Sequence, residues 1–215
     1  SLNLVANTAL TFVNCGANQL TSLNVTANTA LLDLRIYANS LPSLDITNNT
    51  ALTTLYGANN LLTSIDVSNN TALISLSIHA NQLTALDVSA NTALTILSCG
   101  SNQIVSLDCT TLVNLVELAC ENNPPMNFLD VTNGNNSNMP MGDFIANNTP
   151  SLMCISVDNV AYSNTNWPAP LYTDVGDTYN NPCVVVSLCT IPDSNFRNAL
   201  DINQPQLAGQ WVNTN

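Results

Sequence analysis

The chain has 215 residues, of which 46% are hydrophobic and only 7% charged, and two basic residues stand against 14 acidic ones for a formal charge of −12. Nucleic-acid binding and docking on anionic lipid both need clustered cations, so both are excluded. No run of about 18 apolar residues is present to cross a bilayer as a helix.

From its first residue the chain reads as a repeat. Ser1–Leu10 aligns with Ser22–Leu31, with no capping segment and no basic-then-apolar leader ahead of it. An exposed solenoid end is normally capped, so the expectation is a section of a longer chain. Leu10, Leu31, Leu52, Leu73, Leu94 and Leu115 are each 21 residues apart, and so are Asn18, Asn39, Asn60, Asn81, Asn102 and Asn123. A fixed period in this range marks a solenoid, whose coils bury their apolar edge only against each other.

Each coil reads L-x-x-L-x-φ-x-x-N-x-L, with φ apolar or small, as in Leu73, Leu76, Ile78, Asn81 and Leu83. This is the leucine-rich repeat pattern. The alternating L-x-φ predicts a short strand with one buried face, paired in parallel with its neighbours. The Asn column suits the turn after the strand, where its amide serves backbone groups that would otherwise be buried unpaired. The second half of the coil, L-D-V-S-x-N-T-A, is too short for a helix and predicts extended or turn-like backbone. The fold class is therefore mainly β (α/β by convention): a right-handed leucine-rich-repeat solenoid with short parallel strands, an irregular convex side and a C-terminal cap.

Regularity fails after Asn123. The solenoid is expected over 1–157, in about seven coils, with a Gly/Asn-rich loop insertion at 133–147. Leu152, Ile155 and Val157 predict its final strand. Residues 158–183, with Tyr162, Trp167, Tyr172 and Tyr179, suit a cap. A linker at 184–190 precedes 191–215, where Asp193–Leu200 reads as a short helix opening a following repeat module.

The repeat L-T-x-L-D-V-S-x-N-T-A-L resembles the 21-residue leucine-rich repeat proteins secreted by Bacteroidota such as Flavobacterium. The stretches Asn133–Asn136, Leu152–Asn159, Tyr162-Ser163, Asn166-Trp167 and Cys183 look like that family's closing cap, and Ile191–Phe196 looks like the opening of another array. The resemblance covers essentially the whole chain. It departs from the common pattern where Ala27, Asn48, Asn69 and Ala90 replace a lysine. It implies a large, multi-array, secreted or cell-surface protein, often exported by the type IX system, with adhesion as the usual assignment.

Candidate sites follow from what projects out of the repeat. Arg35, Tyr37, Tyr56 and His79 fall on the concave face of the expected sheet, with Phe12, Asn14 and Asp33 beside them. Aromatic rings with a few polar groups suit a glycan or peptide. Cys15, Cys99, Cys109 and Cys120 occupy inward positions and read as core, although Cys99 and Cys120 are neighbours close enough in register to leave pairing open. Cys154 and Cys183 bracket the cap and are expected to form a disulfide in an oxidising exterior, with Cys189 as a competing partner for Cys183. The column Asp45, Asp66, Asp87, Asp108 and Asp130 reads as a set of turn acceptors, because Asn24 fills the same role. Calcium on that column, or on Asp158, Asp174 and Asp177, is the only cofactor candidate.

Thr columns at Thr8, Thr29, Thr50, Thr71 and Thr92, and at Thr21, Thr63 and Thr84, raise an ice-binding alternative. The sequons at Asn24, Asn48 and Asn69 are products of repetition. No nucleophile–base pair, phosphate loop or metal spacing is found, so no enzyme is expected. The expected partners are other copies or sister modules of the same large protein, and surface glycans or proteins of other cells. Neither nucleic acid nor membrane insertion is expected.

Overall fold

A computed structural model describes residues 2–183 of the chain, apart from Val175. The expected linker 184–190, the module 191–215 with its helix, and Cys189 lie outside the described residues.

The molecule is a parallel β-solenoid. The main sheet has seven strands, at Phe12–Asn14, Asp33–Arg35, Thr54–Tyr56, Ser75–Ser77, Ile96–Ser98, Glu117–Ala119 and Phe144–Ile145, all in parallel and in strict coil order. Each three-residue strand centres on a buried Leu or Val, and the inward φ residue follows directly. The 21-residue spacing becomes a register of zero slip: Leu34 faces Leu55, which faces Leu76, which faces Leu97. The inward leucines form one continuous core cluster from Val13 to Tyr179.

The second half of the coil is extended and turn-like in the middle of the array. Toward the C-terminal end it becomes a second parallel sheet, built from Ser106–Asp108, Phe128–Asp130, Cys154–Ser156 and Thr178–Asn180. A two-stranded piece at Leu2–Asn3 and Leu23–Asn24 lies at the other end.

Two Asn ladders hold the turns. In the first, Asn60 Nδ2 donates to Ile36 O at 3.0 Å and Gly57 O at 3.2 Å, while its Oδ1 accepts Leu41 N–H at 3.1 Å. Asn39, Asn81, Asn102 and Asn123 repeat this pattern. Each side chain thus ties its own coil to the one before it, as the spacing predicted. The residue just ahead takes the left-handed conformation, with φ of 54° at Ala17, 51° at Ala38 and 53° at Ala80. That conformation costs a non-glycine residue about 1 kcal/mol, which the amide ladder offsets. The second ladder runs through Asn28, Asn49, Asn70 and Asn91. Asn49 Nδ2 reaches Val25 O at 3.0 Å and Asn28 O at 2.8 Å, and the four side chains are fully buried. The N-T-A motif is this ladder, a role the sequence reading did not assign to it.

The insertion at 133–147 is more than a loop. It holds a 3-10 turn at Asn136–Asn138 and a strand at Phe144–Ile145, which pairs with Leu118 and Ala119 and extends the main sheet. Ala146 N–H continues the ladder to Tyr172 O at 2.7 Å. The strand at Cys154–Ser156 is likewise not the final one, because Thr178–Asn180 pairs beyond it. The physical reason is Trp167. Its indole is fully buried, stacks on Phe144 with ring centroids 4.1 Å apart, and donates to Met139 O at 3.0 Å. Tyr162 and Tyr179 meet it edge-on. The seven-residue helix Val160–Asn166, capped by Asn159, delivers Trp167 to that position. Residues 158–183 therefore continue the coils while closing them. Cys154 and Cys183 are joined by a disulfide, with Cα atoms 5.9 Å apart.

Candidate functional site

The outward face of the main sheet is built from alternate strand residues, because successive side chains of a strand point to opposite sides. Asn14, Arg35, Tyr56, Ser77 and Ser98 stand in register along one row. Arg35 is the only Lys or Arg among the described residues. Its guanidinium forms a two-pronged bond with Asp33, at 3.1 Å from Nε to Oδ1 and 2.8 Å from Nη2 to Oδ2. It also lies over two rings, 5.4 Å from the centroid of Phe12 and 5.2 Å from that of Tyr56. The cation thus lies between two aromatic residues and is paired with a carboxylate of its own strand.

Of the four residues expected at the site, Arg35 and Tyr56 are in contact. Tyr37 turns back onto Gly16 of the preceding coil, where a Cβ would sit 2.6 Å from its Cζ. His79 turns the other way, with Nδ1 3.2 Å from Ser77 Oγ and 3.4 Å from Ser98 Oγ of the following coil. The group is therefore a cluster of Phe12, Asp33, Arg35 and Tyr56 plus a separate His79–serine contact. Phe12 and Asp33 were placed on this face by the sequence but not ranked with the site. The ion pair two residues apart on one strand was the signal for them.

A further pattern was present in the sequence and not recognised. Along the row Gly16, Tyr37, Ala58, His79, Gly100 and Glu121, large and small residues alternate. The carboxylate of Glu121 lies over Gly100 as the Tyr37 ring lies over Gly16. In side-chain size this one row alternates every two coils, where the core repeats every one.

The acidic column is spent on its own turns. Asp45 Oδ1 accepts Thr47 N–H at 3.0 Å and Thr47 O–H at 2.7 Å, and Asp66, Asp108 and Asp130 do the same with Ser68, Thr110 and Thr132. The Thr47 hydroxyl and amide hold the Asp45 carboxyl below its ordinary pKa, and Ser68 does so for Asp66. In the cap, Asp174 accepts Asn148 N–H at 2.8 Å and Thr149 N–H at 2.6 Å, and Asp177 accepts Asp174 N–H at 2.9 Å. These lie beside an open groove of about 450 Å3 that also meets Pro150 and Met153. Among the described residues, no group of three His, Cys, Asp or Glu is placed to hold a metal ion. Cys15, Cys99, Cys109 and Cys120 are free thiols, and burial pushes Cys99 up to about 12 and Cys109 and Cys120 well above the ordinary thiol value. They behave as apolar core.

The architecture is shared with solved structures. The functional domain of InlJ from Listeria monocytogenes, described as including a cysteine ladder, matches over 74% of this chain with 32% identity and a TM-score of 0.60. An internalin, InlF, from the same species matches over 82% with 22% identity and a TM-score of 0.56. The chain is a leucine-rich repeat solenoid. It spans 42% of the length of the first of these structures and 62% of the second. No family model matches the chain, and the comparison with curated proteins gives no match. Among the described residues no helix is long and apolar enough to cross a membrane.

Proposed function

We propose that this chain is a non-enzymatic, extracellular structural and adhesion module of a larger repetitive surface protein, meeting protein partners through the outward face of its main sheet. The observation that carries the reading is Arg35, ion-paired to Asp33 and laid between Phe12 and Tyr56 on that face. A solvent-facing cluster of aromatic and guanidinium groups has the composition of an interface anchor. The leucine-rich repeat architecture supports an interaction role in general, and its stacked coils suit a rigid spacer. The Cys154–Cys183 disulfide supports an oxidising exterior, and the repeat's resemblance to secreted surface proteins points to type IX export.

The test is binding of the purified chain to cells and to immobilised surface proteins. Arg35→Ala and Tyr56→Ala, on an exposed face, leave the fold intact and are expected to lose binding at least tenfold. Unchanged binding in both variants refutes the reading.

A second reading, glycan binding, is favoured by the half-exposed Phe12 ring beside the Asp33–Arg35 pair. A ring stacks on the C–H face of a sugar, while the pair offers donors and acceptors to its hydroxyls. Binding to a panel of neutral oligosaccharides, lost in Phe12→Ala, separates it from protein recognition.

A further inference from the structure

We propose that one flank of the solenoid is an interface between two copies of this chain, related by a two-fold axis. The inference deepens the structural part of the proposed function and is independent of the Arg35 cluster.

The flank leading into the main strands carries the column Thr11, Leu32, Thr53, Ile74, Thr95 and Val116. Its aliphatic members are exposed, Leu32 by 45%, Ile74 by 46% and Val116 by 36%. Its backbone is locked in register. Thr53 N–H and Thr53 O–H both donate to Leu32 O, at 2.8 and 2.9 Å, Ile74 N–H donates to Thr53 O at 2.8 Å, and Thr95 N–H donates to Ile74 O at 2.9 Å. Single exposed aliphatics are ordinary. Three on alternate coils of one rigid column, with threonine between, form a ridge with regular gaps. The turn corners beside it are Thr and Ala in the first five coils and Val113 and Asn114 in the sixth, so the flank holds no charge.

Charge selects this flank among the faces. The Asp column from Asp45 to Asp130 runs along the back, and the main sheet face carries Asp33, Glu117 and Glu121. Two copies at −12 each repel wherever those faces approach. The opposite flank is also uncharged, but its exposed aliphatics, Leu61 and Val105, stand in different columns and make no ridge.

Symmetry selects the partner. An isologous contact needs a surface complementary to itself. Consider a two-fold axis lying in the flank, perpendicular to the solenoid axis, between Thr53 and Ile74. It sets Ile74 against Thr53 of the second copy, Leu32 against Thr95, and Val116 against Thr11. Because the alternating column has six members, every aliphatic meets a threonine and none meets another aliphatic. Six coils at about 4.8 Å give a strip roughly 25 Å long, and with a width of about 10 Å each copy covers a few hundred Å2. That is below the roughly 800 Å2 per partner of a stable complex, so the dimer is weak and reversible.

Sedimentation velocity of the 215-residue chain from about 10 μM to about 1 mM spans the range expected of so small an interface. The expected result is a reversible monomer–dimer equilibrium, weakened at least tenfold by Ile74→Glu, which buries a charge against threonine. Mixing Leu32→Cys with Thr95→Cys under mild oxidation gives a covalent heterodimer, and neither variant alone gives that product. A chain monomeric across the range overturns the proposal, as does a dimer untouched by Ile74→Glu. A monomer that restrains ice growth, and loses this in Ile74→Glu, also overturns it and assigns the flank to ice. Arg35→Ala leaves the dimer unchanged, so the adhesion reading and the dimer can fail separately.

Discussion

The ring of Tyr37 covers Gly16 of the preceding coil, and residue 16 has no room for a Cβ beneath it. The prediction is that Gly16→Ala folds normally but swings the ring away. Tyr37 is 39% exposed, so the ring has somewhere to go, and the stability change stays within about 1 kcal/mol. The Tyr37 ring resonances by NMR report the displacement. Unshifted resonances contradict the packing described.

Asn60 is the test of the first ladder. Asn60→Ala strands Leu41 N–H inside the turn and removes one of the two amide donors from the carbonyls of Ile36 and Gly57, which keep Asn39 and Asn81. Leaving that buried donor unsatisfied is expected to cost about 1–3 kcal/mol, read as a lowered urea midpoint.

Ala80→Gly is expected to act in the other direction. At φ 53° the alanine is strained and glycine is not. The gain, after the entropy that glycine adds to the unfolded chain, is about 0.5 kcal/mol, while Ala80→Val is destabilising. A thermal melt of the pair decides the sign.

The disulfide closes a separation of 29 residues. On loop-entropy grounds it contributes about 3–4 kcal/mol to the region it staples. Reduction, or Cys154→Ser, is expected to raise hydrogen exchange at Thr178–Asn180 while the amides of Leu34, Leu55 and Leu76 stay protected, because a solenoid opens locally. Uniform deprotection along the array contradicts this.

Burial pushes the Asp177 carboxyl up to about 6. The folded chain therefore binds that proton more tightly than the unfolded chain, and the cap gains stability as pH falls from 7 through 6 toward 4. Asp177 is partly exposed, so the discounted effect is about 1 kcal/mol. Asp45 and Asp66, lowered by their turn hydroxyls, act oppositely, and their contribution is lost as acid protonates them below the ordinary carboxylate range. Asp177→Asn is expected to abolish the gain between pH 7 and 5, measured as the melting temperature across that interval.

Much of the fold was legible in advance because a solenoid makes long-range contacts at one fixed separation. Leu34, Leu55 and Leu76 meet because they are one period apart, and the same holds for Asn39, Asn60 and Asn81. Cys154 and Cys183 were readable as the pair that brackets the cap. The candidate face was readable only in part. Register placed Arg35 beside Tyr56, but the side-chain directions of Tyr37 and His79 depend on whether the neighbouring residue is Gly16 or Ser98.

The sequence by itself determined the coil, its period, its inward residues and the column of turn amides, since each depends on neighbours exactly one repeat away. The tertiary structure alone decided the end of the array. Phe144 is a strand residue inside a Gly/Asn-rich insertion because Leu118 and Ala119 offer it an open sheet edge and Trp167 covers it. No periodicity links residues 118, 144 and 167, so only their packing reveals the relation.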